Sequence, residues 1–325
     1  MGQTSTTNLQ LFQLAAFSSP GSEWEVNNAV SPRLFGSGQF LQFLNSGTFT
    51  FVVPSGVTSI RIRVVGGGGG GTQHPSQGGG GGGGGGYAHG VFTVTPGTSY
   101  TVTVGAGGNW STGNAQAGGT SSFGALISAT GGNGATTGTA GATGGTGTGG
   151  QFQGTGGRGG NAYASWPYRF GGGGGGAGSQ LGTGGQGGDA LYSLPGMGGG
   201  VKTGGNTINP GDAFYGLVTN AAGSTTAEPS PLAFYQRFNF DIFTGTANPS
   251  GSSGTGAGAW KNTGAAGSRA AGVGGGGAPG VNQSYQGIAG NSGGGGSGGY
   301  GYNDCCTSNY SSGSNGGNGF VVVEW

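Results

Sequence analysis

The chain has 325 residues, 92 of them glycine, with 9 basic and 8 acidic side chains and a net charge of +1. Only 12 prolines and no strict Gly-X-Y period exclude a collagen triple helix, and near-neutrality argues against nucleic acid as a partner. Disorder goes with high net charge and few aromatics, whereas here charged residues are 5% and aromatics 10%, so a folded protein is expected.

Residues 1–45 read as an N-terminal attachment segment. Leu9, Leu11, Phe12, Leu14, Phe17, Trp24, Val26 and Val30 are too few for an independent core, and their spacing does not separate helix from strand. Arg33 is the first basic residue, so no positive n-region precedes an apolar stretch as a secretory signal requires. No apolar run is long enough to cross a membrane as a helix. Met1-Gly2 with Thr6 meets only the loose myristoylation pattern, a match short enough to arise by chance.

Residues 46–325 read as one glycine-rich domain. Thr48–Val53, the turn Pro54-Ser55-Gly56 and Ile60–Val65 suggest a hairpin. Gly66–Gly71 follows at once, and Gly78–Gly86 leads into Tyr87-Ala88-His89-Gly90 and the alternating Val91–Val94. Tyr100–Val104 is expected to pair with Val91–Val94, and Ser121–Phe123 with Ala125–Ala129 to add a short strand. Phe320–Trp325 is an apolar strand arriving straight out of glycine, best placed beside Ile60–Val65.

A flexible linker has no need to sit between two well-patterned strands. Glycine loses the most backbone entropy on folding and buries no side chain, so the offset must come from the backbone. In a polyproline-II-like helix, with three residues per turn, N–H and C=O groups point outward. Helices without Cβ atoms can pack side by side and satisfy one another's backbone groups. This is polyglycine II packing. It demands pure glycine or Gly-Gly-X-Gly-Gly runs, since an inward side chain would prop the bundle open. The nine residues Gly78–Gly86 would span about 28 Å. The expected fold is therefore all-β and irregular, a small antiparallel β base with a packed bundle of polyglycine II helices and apical loops.

Chemistry for an enzyme is missing from the pattern. His74 and His89 have no acidic neighbour in sequence, the carboxylates lie singly, and no calcium loop is present. Glycine fingerprints carry no information in a chain this rich in glycine. The adjacent Cys305 and Cys306 cannot bridge without strain, so no disulfide framework is expected. No catalytic residue, metal site or cofactor is assigned.

The run Gly47–Thr58, the strand entering Gly66–Gly71, Gly86-Tyr87-Ala88, Val94-Thr95-Pro96-Gly97 and Val102–Gly108 resemble the glycine-rich domain of bacteriophage tail proteins. Thr120–Gly124 and Phe320–Trp325 fit the same ordered series of strand, turn and run. The extracellular glycine-rich region of anaplastic lymphoma kinase is similar in its packing. The resemblance implies a tail-fibre tip adhesin, extracellular on the virion tail, whose apical loops bind a bacterial outer-surface receptor, protein or glycan. It implies attachment to other tail proteins through residues 1–45 and leaves homo-oligomerisation open. The alternative is a purely structural virion spike or glycine-rich coat protein.

Aromatics concentrate in the loops, and glycine helices offer no groove to bury them. Aromatic anchors on a rigid scaffold suit receptor contact, although they also suit a small core capping the bundle. Reversing direction at each glycine run puts loops 72–77, 109–117, 161–170 and 189–195 at the end distal to the base. The stretch 206–250 falls on the same end by this alternation, and 278–312 is left unassigned. The receptor-binding candidates are Tyr163, Trp166, Tyr168, Phe170, Tyr192, Phe214, Tyr215, Phe234 and Tyr235.

Overall fold

The computed structural model describes residues 39–73, 78–165, 168–180, 182–191, 196, 198–199, 276–277, 290, 293–297, 301–303, 308–310 and 312–325. Among them the regular structure is entirely β. The chain forms β1 (Phe40–Phe43), β2 (Gly47–Val52), β3 (Ser59–Val65), β4 (Tyr87–Thr93) and β5 (Ser99–Val104). Short strands follow: β6 (Ser121–Phe123), β7 (Ile127–Ala129), β8 (Gly147–Gly149), β9 (Phe152–Gly154) and β10 (Tyr163–Ser165). The last are β11 (Tyr168–Phe170), β12 (Gly301–Asn303), β13 (Ser308–Tyr310) and β14 (Phe320–Glu324).

Two five-stranded antiparallel sheets, ordered β1-β14-β3-β4-β9 and β2-β5-β6-β7-β8, share one core and make the base. Alternation on β3 turns Ile60, Ile62 and Val64 into that core and Arg61 and Arg63 to the outer face. Val321 and Val323 of β14 pair with Val64 and Ile62 and face the same way. From the other sheet come Phe51, Val102, Val104, Phe123 and Ile127. The Phe51 ring lies 5.6 Å from both Phe123 and Trp325, so one aromatic cluster joins the two layers. Gly124 takes φ +51° in the β6–β7 turn, a conformation that favours glycine.

Two strand pairings differ from the sequence expectation. The segments flanking Pro54-Ser55-Gly56 do not form a hairpin. β2 pairs with β5, while β3 pairs with β4 and β14, so the turn carries the chain from one sheet to the other. Both strands have a fully apolar inner face, and facing strands bury those residues against each other across the sandwich. For the same reason Tyr100–Val104 pairs with β2 and β6, not with Val91–Val94. The placement of Phe320–Glu324 beside β3 agrees with the sequence.

The glycine runs are packed helices. Along Gly81–Gly86 the N–H groups turn through three neighbours in a strict period of three. Gly81 and Gly84 donate to Gly160 and Gly157, Gly82 and Gly85 to Gly296 and Gly293, and Gly83 and Gly86 to Asn133 and Thr130. Carbonyls on the same run accept from three further segments: from Thr72, Gly69 and Gly66; from Ala142 and Gly145; and from Gly172, Gly175 and Gly178. A threefold helix with outward-pointing backbone groups produces that pattern. Gly66–Gly71 and Gly171–Gly176 are enclosed in the same way, each donating to three runs and accepting from three others. The three longest pure-glycine stretches are thus interior helices, and the shorter run Gly293–Gly296 is likewise buried among its neighbours.

Peripheral helices keep a side chain at every third position, and it points out. Exposed residues are Thr130, Asn133 and Thr136 on one run, Thr143 and Thr146 on the next, Thr183, Gln186 and Asp189 on another, and Asn315 and Asn318 near the end. These repeats recur about every 9 Å along the axis. Some cross-link neighbouring runs: Asn133 Nδ2 donates to Thr143 Oγ1 at 2.7 Å, and Asn109 Nδ2 to Gln116 Oε1 at 3.0 Å.

Hydrogen-bond order fixes each run's direction. Gly66–Thr72 and Gly80–Gly86 are antiparallel, while 108–111 and 132–135 run parallel to the former, away from the base. Gly157–Gly160 also leaves the base and Gly172–Gly178 returns, so 161–170 is distal, as the alternation predicts. One reversal escaped that alternation. Gly196 and Gly199 donate to Gly171 and Gly174, so this run heads back to the base. The stretch 206–250, which the alternation put at the distal end, lies outside the described residues.

Two stability outcomes follow from this packing. A Cβ on Gly82 would fall on the Gly69 carbonyl oxygen, and overpacking of a rigid backbone contact has no side chain to yield. Gly82→Val should cost about 3 kcal/mol or more, whereas Gln186→Val, at an outward third position, should stay within about 0.5 kcal/mol. Thermal unfolding of both variants checks this, and an unchanged midpoint for Gly82→Val would contradict it. In the base, Glu324 accepts from Arg63 Nη1 at 2.8 Å and from Arg61 Nη1 at 3.2 Å. Arg63 is buried, so Glu324→Gln should cost about 3 kcal/mol by leaving a poorly solvated cation. Denaturant unfolding gives the value.

Candidate functional site

The distal end is built where the helix 155–161 runs out of glycine. Its outward positions Thr155, Arg158 and Asn161 keep the period of three, and the last two are drawn into a strap. Arg158 Nη1 donates to Asn161 Oδ1 at 2.8 Å, and that oxygen also accepts from Gly141 N at 3.0 Å. Asp189, on the neighbouring run, accepts from Asn161 N at 2.6 Å and from Arg158 Nη2 at 3.4 Å. Ala190 N donates back to Asn161 O at 2.8 Å, and Ala162 N to Thr139 O at 2.7 Å. Three segments, 139–141, 158–162 and 189–190, are thereby tied together at the level where glycine gives way to larger residues.

Beyond the strap, β10 and β11 form a hairpin, and β12 and β13 extend it into a four-stranded antiparallel sheet. The register sets Tyr163 opposite Phe170, Tyr168 opposite both Ser165 and Tyr302, and Tyr310 opposite Gly301. Five aromatics therefore share one small sheet at the end of the bundle. The sheet sits directly on the start of the central helix. Gly78 takes φ +69° there, with the Phe170 and Tyr163 carbonyls close to where its Cβ would be.

The sequence-assigned residues separate into three groups. Tyr163 is half-buried and packs against Phe170 and Ala190. Phe170 is only 7% exposed, so its side chain holds the cap together and offers little surface. Tyr168 lies on β11 in the same sheet. Trp166, Tyr192, Phe214, Tyr215, Phe234 and Tyr235 lie outside the described residues, as do Cys305 and Cys306.

Four distal residues were not among the sequence candidates. Trp110 is 38% exposed in the turn after Gly108, and Leu191 is 56% exposed after Ala190. Trp110 N donates to Asn315 Oδ1 at 2.9 Å, which fixes the backbone under its ring. The alternation already put 109–117 at this end, and a lone tryptophan in an otherwise polar turn was the signal for Trp110. Tyr302 and Tyr310 belong to the segment left unassigned, and the pairing of β11 with β12 brings them in.

The described part of the distal end carries aromatic, aliphatic and amide side chains. Among the described residues it carries one ion pair, Arg158 with Asp189, spent on the strap. No group of His, Cys, Asp and Glu able to hold a metal ion occurs among the described residues.

No curated protein matches the chain. The glycine-rich domain family matches it over residues 44–325, which takes in the β base from β2 onward, the glycine helices and the distal sheet. With glycine runs leaving and re-entering one β sandwich among the described residues of that span, the chain belongs to the glycine-rich domain family.

Proposed function

We propose that the protein is a receptor-binding adhesin of a bacteriophage tail or tail-fibre tip, contacting the bacterial surface through its distal end. Segregation of roles along the bundle supports this most directly. Gln39 enters at the base, where its carbonyl accepts from Trp325 N at 3.0 Å, so residues 1–38 join the domain there. Attachment to other tail proteins through residues 1–45 then leaves the opposite end free. That end carries the tyrosine-rich sheet, exposed Trp110 and exposed Leu191.

Rigidity supports the same reading. The backbone under Trp110 is held by its bond to Asn315, so a contact made there loses little conformational entropy on binding. Phe170 and Tyr163 act mainly as support, and Trp166, Tyr168, Tyr192, Phe214, Tyr215, Phe234 and Tyr235 supply the contacts, joined by Trp110. The receptor is a protein or glycan of the outer bacterial surface.

The purified protein should adsorb to cells of a susceptible host and be competed by envelope fractions of that host. Replacing Trp166 and Tyr168 together by Ala should remove adsorption with the unfolding midpoint unchanged. Full adsorption by the double variant would reject the site, and no adsorption by the parent protein would favour a purely structural virion part.

A further inference from the structure

On one flank of the bundle, three runs lie side by side at the surface. The middle run, 105–109, is joined to 312–319 by Gly316 N donating to Gly108 O and Gly319 N to Gly105 O. On its other side 116–119 is joined by Gly119 N donating to Ala106 O and Gln116 N to Asn109 O. Behind it, Gly108 N donates to Gly68 O of an interior helix, so only its front is open. Ala106 and Asn109 take the outward third positions there, and both are exposed.

Backbone donors on that front are met by side chains. Gly107 N donates to Asn318 Oδ1 and Trp110 N to Asn315 Oδ1, each at 2.9 Å and one helical turn apart, about 9 Å. A backbone N–H can only donate, so each amide sets its oxygen against the run and has its Nδ2 left over. Asn109 Nδ2 donates to Gln116 Oε1 at 3.0 Å, which leaves the Gln116 Nε2 hydrogens. Among the described residues no hydrogen bond uses Asn315 Nδ2, Asn318 Nδ2 or Gln116 Nε2, and all three residues are exposed. The result is a level shelf of planar amides around the small Ala106. It ends distally at Trp110, which is 38% exposed.

Charge decides what can lie on this shelf. Residues 99–123 and 308–323 contain no charged side chain, so an ionic ligand would lose hydration with nothing to pair it. A protein anchor needs a pocket, whereas Trp110 is the one large apolar side chain among these shelf residues. Donors spread over a flat area suit a ligand with many hydroxyls, each of which both donates and accepts. The indole beside them has an electron-rich face that attracts weakly positive C–H groups, as on the apolar face of a sugar ring.

From this geometry we infer that the shelf binds a neutral hexose glycan. Trp110 stacks on one sugar ring, and Asn315, Asn318 and Gln116 donate to hydroxyls along the glycan chain. The inference rests on the reading of the distal end as the receptor-contacting end, and it names a neutral glycan as the receptor class.

The purified full chain, screened on an array of neutral hexose oligosaccharides and their uronate-containing counterparts, tests it, with affinities taken by titration of the best neutral hit. Neutral oligosaccharides should bind and uronates should not. Raising NaCl to about 0.5 M should leave the affinity unchanged, because no charge pair is involved. Trp110→Ala keeps the backbone bond to Asn315, so it should weaken binding about tenfold or more with an unchanged melting midpoint. Trp110→Phe should restore part of the loss. Ala106→Leu, which raises a bulky side chain from an outward position, should also weaken binding without unfolding. Equal binding of uronates or an unweakened Trp110→Ala variant would overturn the inference. Host-cell adsorption with no binding of any neutral oligosaccharide would overturn it too, leaving the adhesin reading with a protein receptor. Glycan binding without adsorption would uphold the shelf and remove the adhesin reading.

Discussion

Backbone-to-backbone hydrogen bonding between helices that lack side chains is the interaction on which the structure depends. A net hydrogen bond contributes about 1 kcal/mol, while fixing one residue's backbone costs about 1–2 kcal/mol. An isolated pair of glycine helices would therefore not hold. Enclosure changes the balance, because each residue of Gly81–Gly86 donates to one neighbour while carbonyls of the same run accept from others. Close approach also brings the whole backbone into dispersion contact at crystal-like density. The price is total intolerance of Cβ: added at Gly68, Gly82, Gly85 or Gly175, it would fall on a neighbouring carbonyl.

The β base supplies what the helices cannot, a register. β3 and β4 pair Val65 with Tyr87, and the next step outward is Gly66 N donating to Gly86 O. The hairpin thus continues as an antiparallel pair of glycine helices with no break in spacing. β14 does the same on the other side, pairing Phe320 with Val65 just after the run 312–319 returns. An apolar core of Ile62, Val64, Phe123, Val321 and Val323 fixes those strands. The sandwich has an ordinary hydrophobic driving force, and the bundle inherits its alignment from it.

Much of this was legible in the residues. Pure runs at 66–71, 78–86 and 171–176 mark interior helices, and Gly-Gly-X repeats mark peripheral ones, because only an outward position tolerates a side chain. The antiparallel base and the placement of Phe320–Glu324 were also legible. Partner choice within the base was not. Thr48–Val53 and Ile60–Val65 look like a hairpin because alternation reports which face is buried and says nothing of which strand lies alongside. At the distal end, Tyr163 and Phe170 stood out as aromatics in a glycine context, but their packing on Ala190 depends on a run brought alongside through the strap of Arg158, Asn161 and Asp189. Tyr302 and Tyr310 join that sheet from far along the chain. The amide shelf beside Trp110 was hidden for the same reason, since Asn315 and Asn318 reach it from the run 312–319.

Amide hydrogen exchange resolved at single glycines measures the central claim most directly. Gly81–Gly86 should be protected as strongly as the β3 core residues Ile62 and Val64, because opening any one helix breaks its bonds to several neighbours at once. Gly138, in a turn of the same bundle with open space where its Cβ would be, should exchange far faster. Exchange of Gly81–Gly86 at the rate of an unstructured chain would contradict the account and make the glycine runs solvated linkers.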